Sequence, residues 1–178
     1  RKESSAASDV YKRQIPSSAA KRYGDKIALI LPDRALSFNE LEALSNRFAN
    51  RLVDLGVKPG DRVTLYSGNF WEWGVCYYRT LKTGAVINPI NVVLTSGEIE
   101  FVVNDCGATV VIASHEKALS IKDVKEKSQV RELIAFGDEA LPKGILSFND
   151  ILGGSSDHFQ IGEVDPDSLS TIGYTSGT

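Results

Sequence analysis

The sequence contains no methionine, only two cysteines and two histidines, and no apolar run long enough to cross a membrane. A spanning helix needs about 20 consecutive apolar residues, whereas the near-continuous apolar run at residues 108–113 has the length of a buried strand. Cys76 and Cys106 show no CxxC spacing, and neither His115 nor His158 has a second ligand at metal spacing. The pattern therefore excludes a disulfide scaffold and does not support zinc, and we expect two reduced, partly buried cysteines in a cytoplasmic protein.

An excess of positive charge is also missing. Lys and Arg number 20 against 23 Asp and Glu, a net charge of −3, so nucleic acid is not an expected partner. Residues 1–14 are rich in Ser, Ala and charged residues and lack the apolar core of a signal peptide, so we expect a disordered tail or sequence foreign to the protein. The remainder is long enough for a substantial core, but the start at Arg1 and the Gly/Ser/Thr end at Thr178 lead us to expect a fragment.

From residue 15 onward, the pattern alternates between helix and strand. The strongest helix signal follows residue 37, where Ser37 and Glu40 form a capping box. Apolar residues follow at steps of three and four, namely Leu41, Leu44, Phe48, Leu52 and Leu55. Gly56 is expected to end this helix in the left-handed conformation.

The other elements follow from turns and apolar runs. Strands are predicted at residues 27–31, 35–37, 63–66, 85–90, 108–113, 132–136 and 169–174. Helices are predicted at residues 17–23, from Asn69 to Gly84, from the capping box Thr95/Glu98 to Gly107, and over 116–129, with a loop at 152–167. This alternation is typical of an α/β fold with a mostly parallel, helix-covered sheet.

Four aromatic residues cluster in the helix predicted from Asn69: Trp71, Trp73, Tyr77 and Tyr78. At helical spacing they fit core packing and also a platform on which bases stack. Aromatic residues in this arrangement more often belong to a core, and we favour that interpretation.

The C-terminal stretch is the one that suggests chemistry. The predicted strand 169–174 runs into Thr175, Ser176, Gly177 and Thr178. Phosphate-binding loops are built in this way, because glycine lets the backbone approach an oxyanion and hydroxyls add donors or reach Mg²⁺. The same residues also occur in ordinary turns. The Gly-Lys-Ser/Thr of a Walker loop is missing, which disfavours a P-loop nucleotide hydrolase.

Four sequence blocks stand out along the chain: LSFNEL at residues 36–41, VKPGDRVTLYSGN at 57–69, LKTGAVINPIN at 81–91 and YTSGT at 174–178. Together and in this order, they resemble motifs of the adenylate-forming (AMP-binding) enzymes, the superfamily of the acyl-CoA synthetases. The resemblance covers residues 15–178. It implies the incomplete N-terminal part of an AMP-binding domain with the acyl-CoA synthetase-like fold.

The resemblance also implies a two-step ligase. A carboxylate attacks the α-phosphorus of ATP to give an acyl-adenylate and pyrophosphate, and the thiol of coenzyme A then takes the acyl group and releases AMP. The implied ligands are ATP, Mg²⁺, coenzyme A and a small-molecule carboxylic acid, with fatty acid metabolism as one implied setting. Residues Thr175, Ser176, Gly177 and Thr178 would begin the loop that holds the β- and γ-phosphates.

The family pattern continues beyond Thr178 with the loop lysine, and its adenine, ribose, Mg²⁺ and adenylation-lysine motifs stand further on. We therefore assign no catalytic residue or metal ligand, and we expect the 178 residues alone to be inactive and poorly soluble or molten. CoA ligases of the family often carry Asn where its amino-acid-activating members carry Asp, so Asn91 favours a CoA ligase. A non-catalytic α/β binding or interaction module, with a purely structural turn at 175–178, is the alternative.

Overall fold

The computed structural model describes residues 16–32, 34–137, 139–160 and 168–175. The tail predicted at residues 1–14 lies outside the described residues, as do Ser176, Gly177 and Thr178.

A parallel five-stranded sheet forms the centre of the fold and confirms the predicted α/β class. An antiparallel hairpin of β1 (Ile27–Ile30) and β2 (Ala35–Ser37) precedes it. The sheet strands are β3 (Arg62–Tyr66), β4 (Val86–Pro89), β5 (Ala108–Ser114), β6 (Glu132–Phe136) and β7 (Ile145–Ser147). Their spatial order is β4-β3-β5-β6-β7.

Helices cover both faces of this sheet. Residues 16–23 form α1, followed by α2 (Phe38–Asp54), α3 (Trp71–Lys82), α4 (Ser96–Asp105), α5 (His115–Ser120), α6 (Val124–Lys127) and α7 (Phe148–Leu152). One core lies between the sheet and α2, α3 and α7, and a second lies between the sheet and α4, α5 and α6. In β5, Val110 and Ile112 belong to the first core and Val111 and Ala113 to the second. A strand buried on both faces needs a near-continuous apolar run, which is the pattern seen here.

The capping box predicted for α2 is confirmed. The backbone N–H of Glu40 donates to Oγ of Ser37 at 3.1 Å, and the N–H of Ser37 donates to the Glu40 carboxylate at 2.8 Å. Phe48 and Leu52 of the predicted stripe are fully buried. The helix is followed by Gly56 at φ 81°, the left-handed conformation that favours glycine.

The same helix holds the connection that returns the chain from β7 to the opposite edge of the sheet. The side-chain amide of Asn46 donates to the carbonyl of Asp157 at 2.8 Å. That of Asn50 donates to the carbonyls of Ser156 and His158 at 2.8 and 2.9 Å. Residues 156–158 of this connection therefore lie against α2.

The predicted start of α3 at Asn69 is wrong. The helix begins at Trp71, and its N-cap is Phe70, whose side chain makes no capping hydrogen bond. The indole of Trp71 packs against Phe148 at 6.0 Å between ring centroids, and the guanidinium of Arg34 lies 4.6 Å from the Trp71 ring. At its start, α3 therefore has these tertiary contacts and no side-chain cap.

The single helix predicted over residues 116–129 is also wrong, because α5 and α6 are separate. Ala118, Ile121 and Val124 are all buried. Ile121 has φ −123° and ψ 25°, which lies outside the α-helical region, so α5 ends at Ser120. The N–H of Ile121 donates to the carbonyl of Ala118 at 3.2 Å, and that of Val124 to Ile121 at 2.9 Å. These three-residue turns keep all three side chains in the core.

The sequence patterns did not predict β7 and α7. The N–H of Asp150 donates to Oγ of Ser147 at 3.2 Å and caps α7. The stretch LSFNDI at residues 146–151 repeats LSFNEL at 36–41 almost letter for letter. Both are strand-to-helix transitions, so a comparison of the two stretches would have predicted the second pair of elements.

Both cysteines are free, as predicted: Cys76 is buried and Cys106 is partly buried. Burial raises the pKa of both thiols, so neither is a reactive thiolate at neutral pH. Within the described ranges, every helix is too short or too polar to span a bilayer.

Candidate functional site

The winding of the sheet reverses between β3 and β5. From β3 the chain moves outward to β4, and it then returns past β3 to continue through β5, β6 and β7 on the other side. The helix after β3 lies on one face and the helix after β4 lies on the other. In doubly wound sheets, ligands bind in the crevice outside the carboxyl ends of the strands at such a reversal.

A cleft of about 400 Å³ opens at this place. Its lining follows the carboxyl ends of β3, β5 and β6 and includes Gly68, Phe70, Ser114, His115, Phe136 and Gly137. The rings of Phe70 and Phe136 meet edge to face at 5.5 Å. On the rim, Nδ1 of His115 lies 2.6 Å from the Glu139 carboxylate. The carboxyl edge therefore offers a crevice with an aromatic pair and a polar rim.

The predicted strand 169–174 contributes a single bridge to the sheet rather than a full strand. The N–H of Ile87 in β4 donates to the carbonyl of Ser170 at 2.9 Å, and the N–H of Ile172 donates to the carbonyl of Ile87 at 3.0 Å. The pairing is parallel and opposes Ile87 to Thr171. Residues 173–175 therefore leave the sheet at its carboxyl edge.

A buried side-chain amide extends this contact. Asn88 is fully buried in β4, and its Nδ2 donates to the carbonyl of Ile172 at 2.9 Å. Its Oδ1 accepts a hydrogen bond from the hydroxyl of Thr64 in β3 at 3.0 Å. These residues were not predicted as functional, although two polar residues inside apolar strands were a signal that could have drawn attention to them.

A second contact holds the segment one residue before Thr175. The hydroxyl of Tyr174 donates to the carboxylate of Asp105, at the last residue of α4, with an O···O distance of 2.5 Å. Partial burial and this hydrogen bond raise the pKa of Tyr174, so the phenol stays a protonated donor at neutral pH. The segment is thus tied to β4 and to α4.

Of the predicted phosphate-loop residues, the structure describes Thr175, which is exposed at the carboxyl edge. Ser176, Gly177 and Thr178 lie outside the described residues, so their predicted contacts with phosphate stay a prediction. Asn91, which favoured a CoA ligase in the sequence, accepts a hydrogen bond from the N–H of Val93 at 3.1 Å. In this structure its side chain shapes the turn after β4.

The aromatic residues of α3 contribute to the core, as the favoured interpretation predicted. Trp71, Trp73 and Tyr77 pack against the core on the α2 face of the sheet. The rings of Trp73 and Tyr77 stack with centroids 5.0 Å apart. Tyr78 lines an apolar pocket of about 360 Å³ between α3 and the β1–β2 hairpin.

No group of three or more His, Cys, Asp or Glu side chains in the described ranges is arranged to hold a metal ion. The carboxyl edge instead combines a preformed crevice, an anchored segment and an exposed threonine hydroxyl. Main-chain N–H groups and hydroxyls at such an edge are suited to binding phosphate oxygens.

Comparison with known proteins identifies the family. Residues 17–178 match the family model described as AMP-binding enzyme. A 3-hydroxybenzoate–CoA/4-hydroxybenzoate–CoA ligase of Thauera aromatica is 29% identical over 160 residues, 89% of this chain and 31% of that protein. A long-chain-fatty-acid–CoA ligase of Salmonella typhimurium is 34% identical over 117 residues, 65% of this chain and 21% of that protein.

Solved structures agree with this result. The anthranilate CoA ligase AuaEII in complex with anthranoyl-AMP superposes with a TM-score of 0.88 at 27% identity over 93% of this chain and 32% of that chain. A long-chain-fatty-acid-CoA ligase from Archaeoglobus fulgidus shares the fold, with a TM-score of 0.85 at 23% identity over 96% of this chain and 35% of that chain. The chain spans a third or less of the length of the curated relatives described above. The family match over nearly the whole chain, on a sheet of the same fold, shows that the chain belongs to the AMP-binding enzyme family.

Proposed function

We propose that the protein is an ATP-dependent carboxylate–CoA ligase and that Thr175–Thr178 begin its phosphate-binding loop. The observation that carries the proposal is the anchored segment 170–175, which leads from a parallel pairing with Ile87 to an exposed Thr175 at the carboxyl edge. The crevice at the reversal between β3 and β5 opens at the same edge. Membership of the AMP-binding family and the named CoA ligases among the relatives support this assignment.

The proposed reaction has two steps. An oxygen of the substrate carboxylate attacks the α-phosphorus of ATP, the bond to the β-phosphate oxygen breaks, and pyrophosphate leaves. The thiol sulfur of coenzyme A then attacks the acyl carbonyl, loses its proton, and displaces AMP. The loop would stabilise the charge on the departing phosphates through its hydroxyl and backbone N–H donors, which is the usual contribution of a protein to phosphoryl chemistry.

Mg²⁺ is proposed as an ion that accompanies the ATP phosphates. The part of the chain that the structure describes holds no group of acidic, histidine or cysteine ligands for it. None of the residues named here is therefore assigned to the metal. What Mg²⁺ would supply is neutralisation of phosphate charge.

The carboxylic acid is proposed to be a small molecule of the aromatic or fatty acyl class, because the named relatives act on hydroxybenzoates and on long-chain fatty acids. A role in fatty acid metabolism is part of this proposal. We also propose a cytoplasmic location, supported by two free cysteines, and no nucleic-acid partner, supported by the net charge of −3.

The experiment is ATP–pyrophosphate exchange with the whole protein encoded by the gene. A panel of hydroxybenzoates, anthranilate and long-chain fatty acids is assayed, and the CoA thioester is then identified by mass spectrometry. We expect exchange with at least one acid, followed by acyl-CoA and AMP when coenzyme A is added. A folded protein that gives no exchange with any acid would support the alternative, a non-catalytic α/β binding module.

Two further measurements sharpen the test. Thr175→Val removes the hydroxyl at nearly constant volume, so the KM for ATP should rise while the KM for the acid stays constant. Thr109→Val is the matched control, because the Thr109 hydroxyl donates to the carbonyl of Arg62 at 3.3 Å, near the opposite end of the strands. The 178 residues alone are proposed to give no exchange and to be poorly soluble. Their activity and melting are measured beside those of the whole protein.

A further inference from the structure

We propose that Asn88 is a positioning residue for the phosphate loop, because its side chain replaces a backbone donor that Pro89 lacks. The kinetic consequences of this role rest on the proposed function. The structural part stands on the hydrogen bonds of β4.

The missing donor follows from the rules of a parallel ladder. Ile87 gives its N–H to the carbonyl of Ser170 and accepts the N–H of Ile172, at 2.9 and 3.0 Å. In a parallel pair, every second residue of a strand forms hydrogen bonds with the same neighbouring strand. The residue two positions after Ile87 would therefore donate its N–H to the carbonyl of Ile172. That residue is Pro89, which has no N–H.

The amide of Asn88 fills this gap. Its Nδ2 donates to the carbonyl oxygen of Ile172 at 2.9 Å, the length of an ordinary ladder hydrogen bond. Thr64 fixes the amide from the other side, because its hydroxyl donates to Oδ1 of Asn88 at 3.0 Å. The amide is fully buried, so water does not compete for these bonds.

The consequence concerns the direction in which the chain leaves the sheet. A complete ladder would carry the segment on along β4, whereas the proline ends the backbone pairing at Ile172. The side-chain donor holds that last carbonyl, and the hydroxyl of Tyr174 donates to Asp105 at 2.5 Å. These two anchors, two residues apart, fix the register in which Thr175 emerges at the carboxyl edge.

The experiment compares three variants of the whole protein encoded by the gene. Asn88→Leu keeps the volume and removes the donor. In Asn88→Leu/Pro89→Ala, the alanine provides the backbone N–H that the ladder lacks. Asn50→Leu is the matched control, since it also removes amide donors to distant carbonyls, those of Ser156 and His158, which precede the anchored segment 170–175 in the chain.

ATP–pyrophosphate exchange and hydrogen exchange of residues 170–175 are measured for each variant. We expect Asn88→Leu to lower kcat/KM for ATP by roughly 10- to 100-fold, because a small misplacement of reacting groups has an effect of this size. The KM for the acid should stay unchanged. Hydrogen exchange at residues 172–175 should become faster. The double variant should recover most of both losses. Asn50→Leu should change neither quantity.

Each outcome decides the proposal. If Asn88→Leu keeps its kcat/KM for ATP, or if Pro89→Ala does not rescue it, the positioning role is overturned. If the unchanged protein gives no exchange with any acid, the proposed function fails. Hydrogen exchange then still tests the anchor, which is supported if Asn88→Leu loosens residues 172–175 and the double variant restores them.

Discussion

The guanidinium of Arg79 in α3 donates to the carboxylate of Glu42 in α2, with Nη2 and Oε2 2.5 Å apart. Lys82, one turn further along α3, donates to the other carboxylate oxygen at 3.0 Å and to the side-chain carbonyl of Asn46 at 2.6 Å. Arg79 is fully buried and Lys82 nearly so. One carboxylate therefore stabilises two buried cations where α2 and α3 pack, and among the described ion pairs it is the counter-charge of both.

We predict that Glu42 makes the stability of the protein sensitive to acid. Burial of the carboxylate raises its pKa, but the charge of Arg79 and the surrounding hydrogen bonds outweigh burial and lower the pKa of Glu42 from 4.5 to about 2. The group binds a proton more readily in the unfolded chain, so its stabilisation is complete above about pH 4.5 and is lost as the pH falls through about 2. Denaturant titrations between pH 7 and pH 2 measure this loss.

Glu42→Gln tests the assignment. It should lower the stability at pH 7, because Arg79 and Lys82 stay buried without their counter-charge, and it should flatten the dependence on pH below 4.5. Glu116→Gln is the matched control, since the Glu116 side chain is 88% exposed. An equal acid sensitivity in Glu42→Gln and the unchanged protein would show that other groups cause it.

Gly107, which follows α4, should not tolerate a side chain. Its φ is 67°, and a Cβ there would lie 2.5 Å from Nη2 of Arg62 and 2.6 Å from Nε2 of Gln129. Arg62 cannot move freely, because its Nε donates to the carbonyl of Cys106 at 2.7 Å. Gly107→Ala should therefore destabilise the fold by more than backbone strain alone, which is about 1 kcal/mol.

The comparison for Gly107 is Gly154→Ala. Gly154 has a similar φ of 74°, and nothing lies within 4 Å of the added Cβ. The difference in unfolding free energy between the two variants isolates the steric contribution at Gly107. If the two variants lose the same stability in denaturant titrations, the contact with Arg62 and Gln129 is not a constraint.

The cap of α2 should contribute about 1 kcal/mol to the free energy of unfolding. Ser37→Ala removes the oxygen that accepts from the N–H of Glu40 at 3.1 Å. Ser37→Thr keeps an accepting hydroxyl and should retain most of the stability. Thermal and denaturant midpoints of the two variants measure the difference, and a threonine variant as unstable as the alanine variant would mean that shape at residue 37 matters rather than the cap.

Phe148 should be one of the costliest core positions to truncate. It is fully buried in α7, and its ring lies 5.2 Å from Phe48 and 6.3 Å from Phe136, centroid to centroid. Phe148→Ala should destabilise the fold by about 3–5 kcal/mol. Phe101→Ala, at a side chain that is 65% exposed, should change the stability by less than about 0.5 kcal/mol. Similar effects of the two substitutions would contradict the packing described for α7.

Local signals predicted α2 well because its cap and its apolar stripe point to the same helix. They failed where a distant contact decides the boundary. Asn69 is a favourable cap, yet α3 starts at Trp71, whose ring packs on Phe148, 77 positions away in the chain. Residues 116–129 look like one solvated helix, but the structure divides them at Ile121, which is buried and lies outside both helices.

In the site, too, local sequence signals predict the type of residue but not the contacts between distant parts of the chain. The Gly/hydroxyl pattern after Tyr174 predicts phosphate-binding residues, because that chemistry depends on residue type, and their contacts with phosphate stay a prediction. It could not predict that Asn88 and Thr64 hold the carbonyl of Ile172, since that contact joins strands that lie far apart in the sequence. The segment 169–174 reads as a strand from its composition, but the proline in β4 limits the pairing to one bridge.

The pairing of Ile87 with Thr171 also sets an order of events during folding. Asn88 and Ile172 are separated by 84 residues, and the partner strand must already lie beside β3 before the segment can dock on it. Closing so long a loop costs conformational entropy, which the new contacts offset only when β3 and β4 already form the edge on which the segment docks. Among the described strands, we therefore expect the stretch that carries Thr175 to dock late, after β3 and β4 have paired.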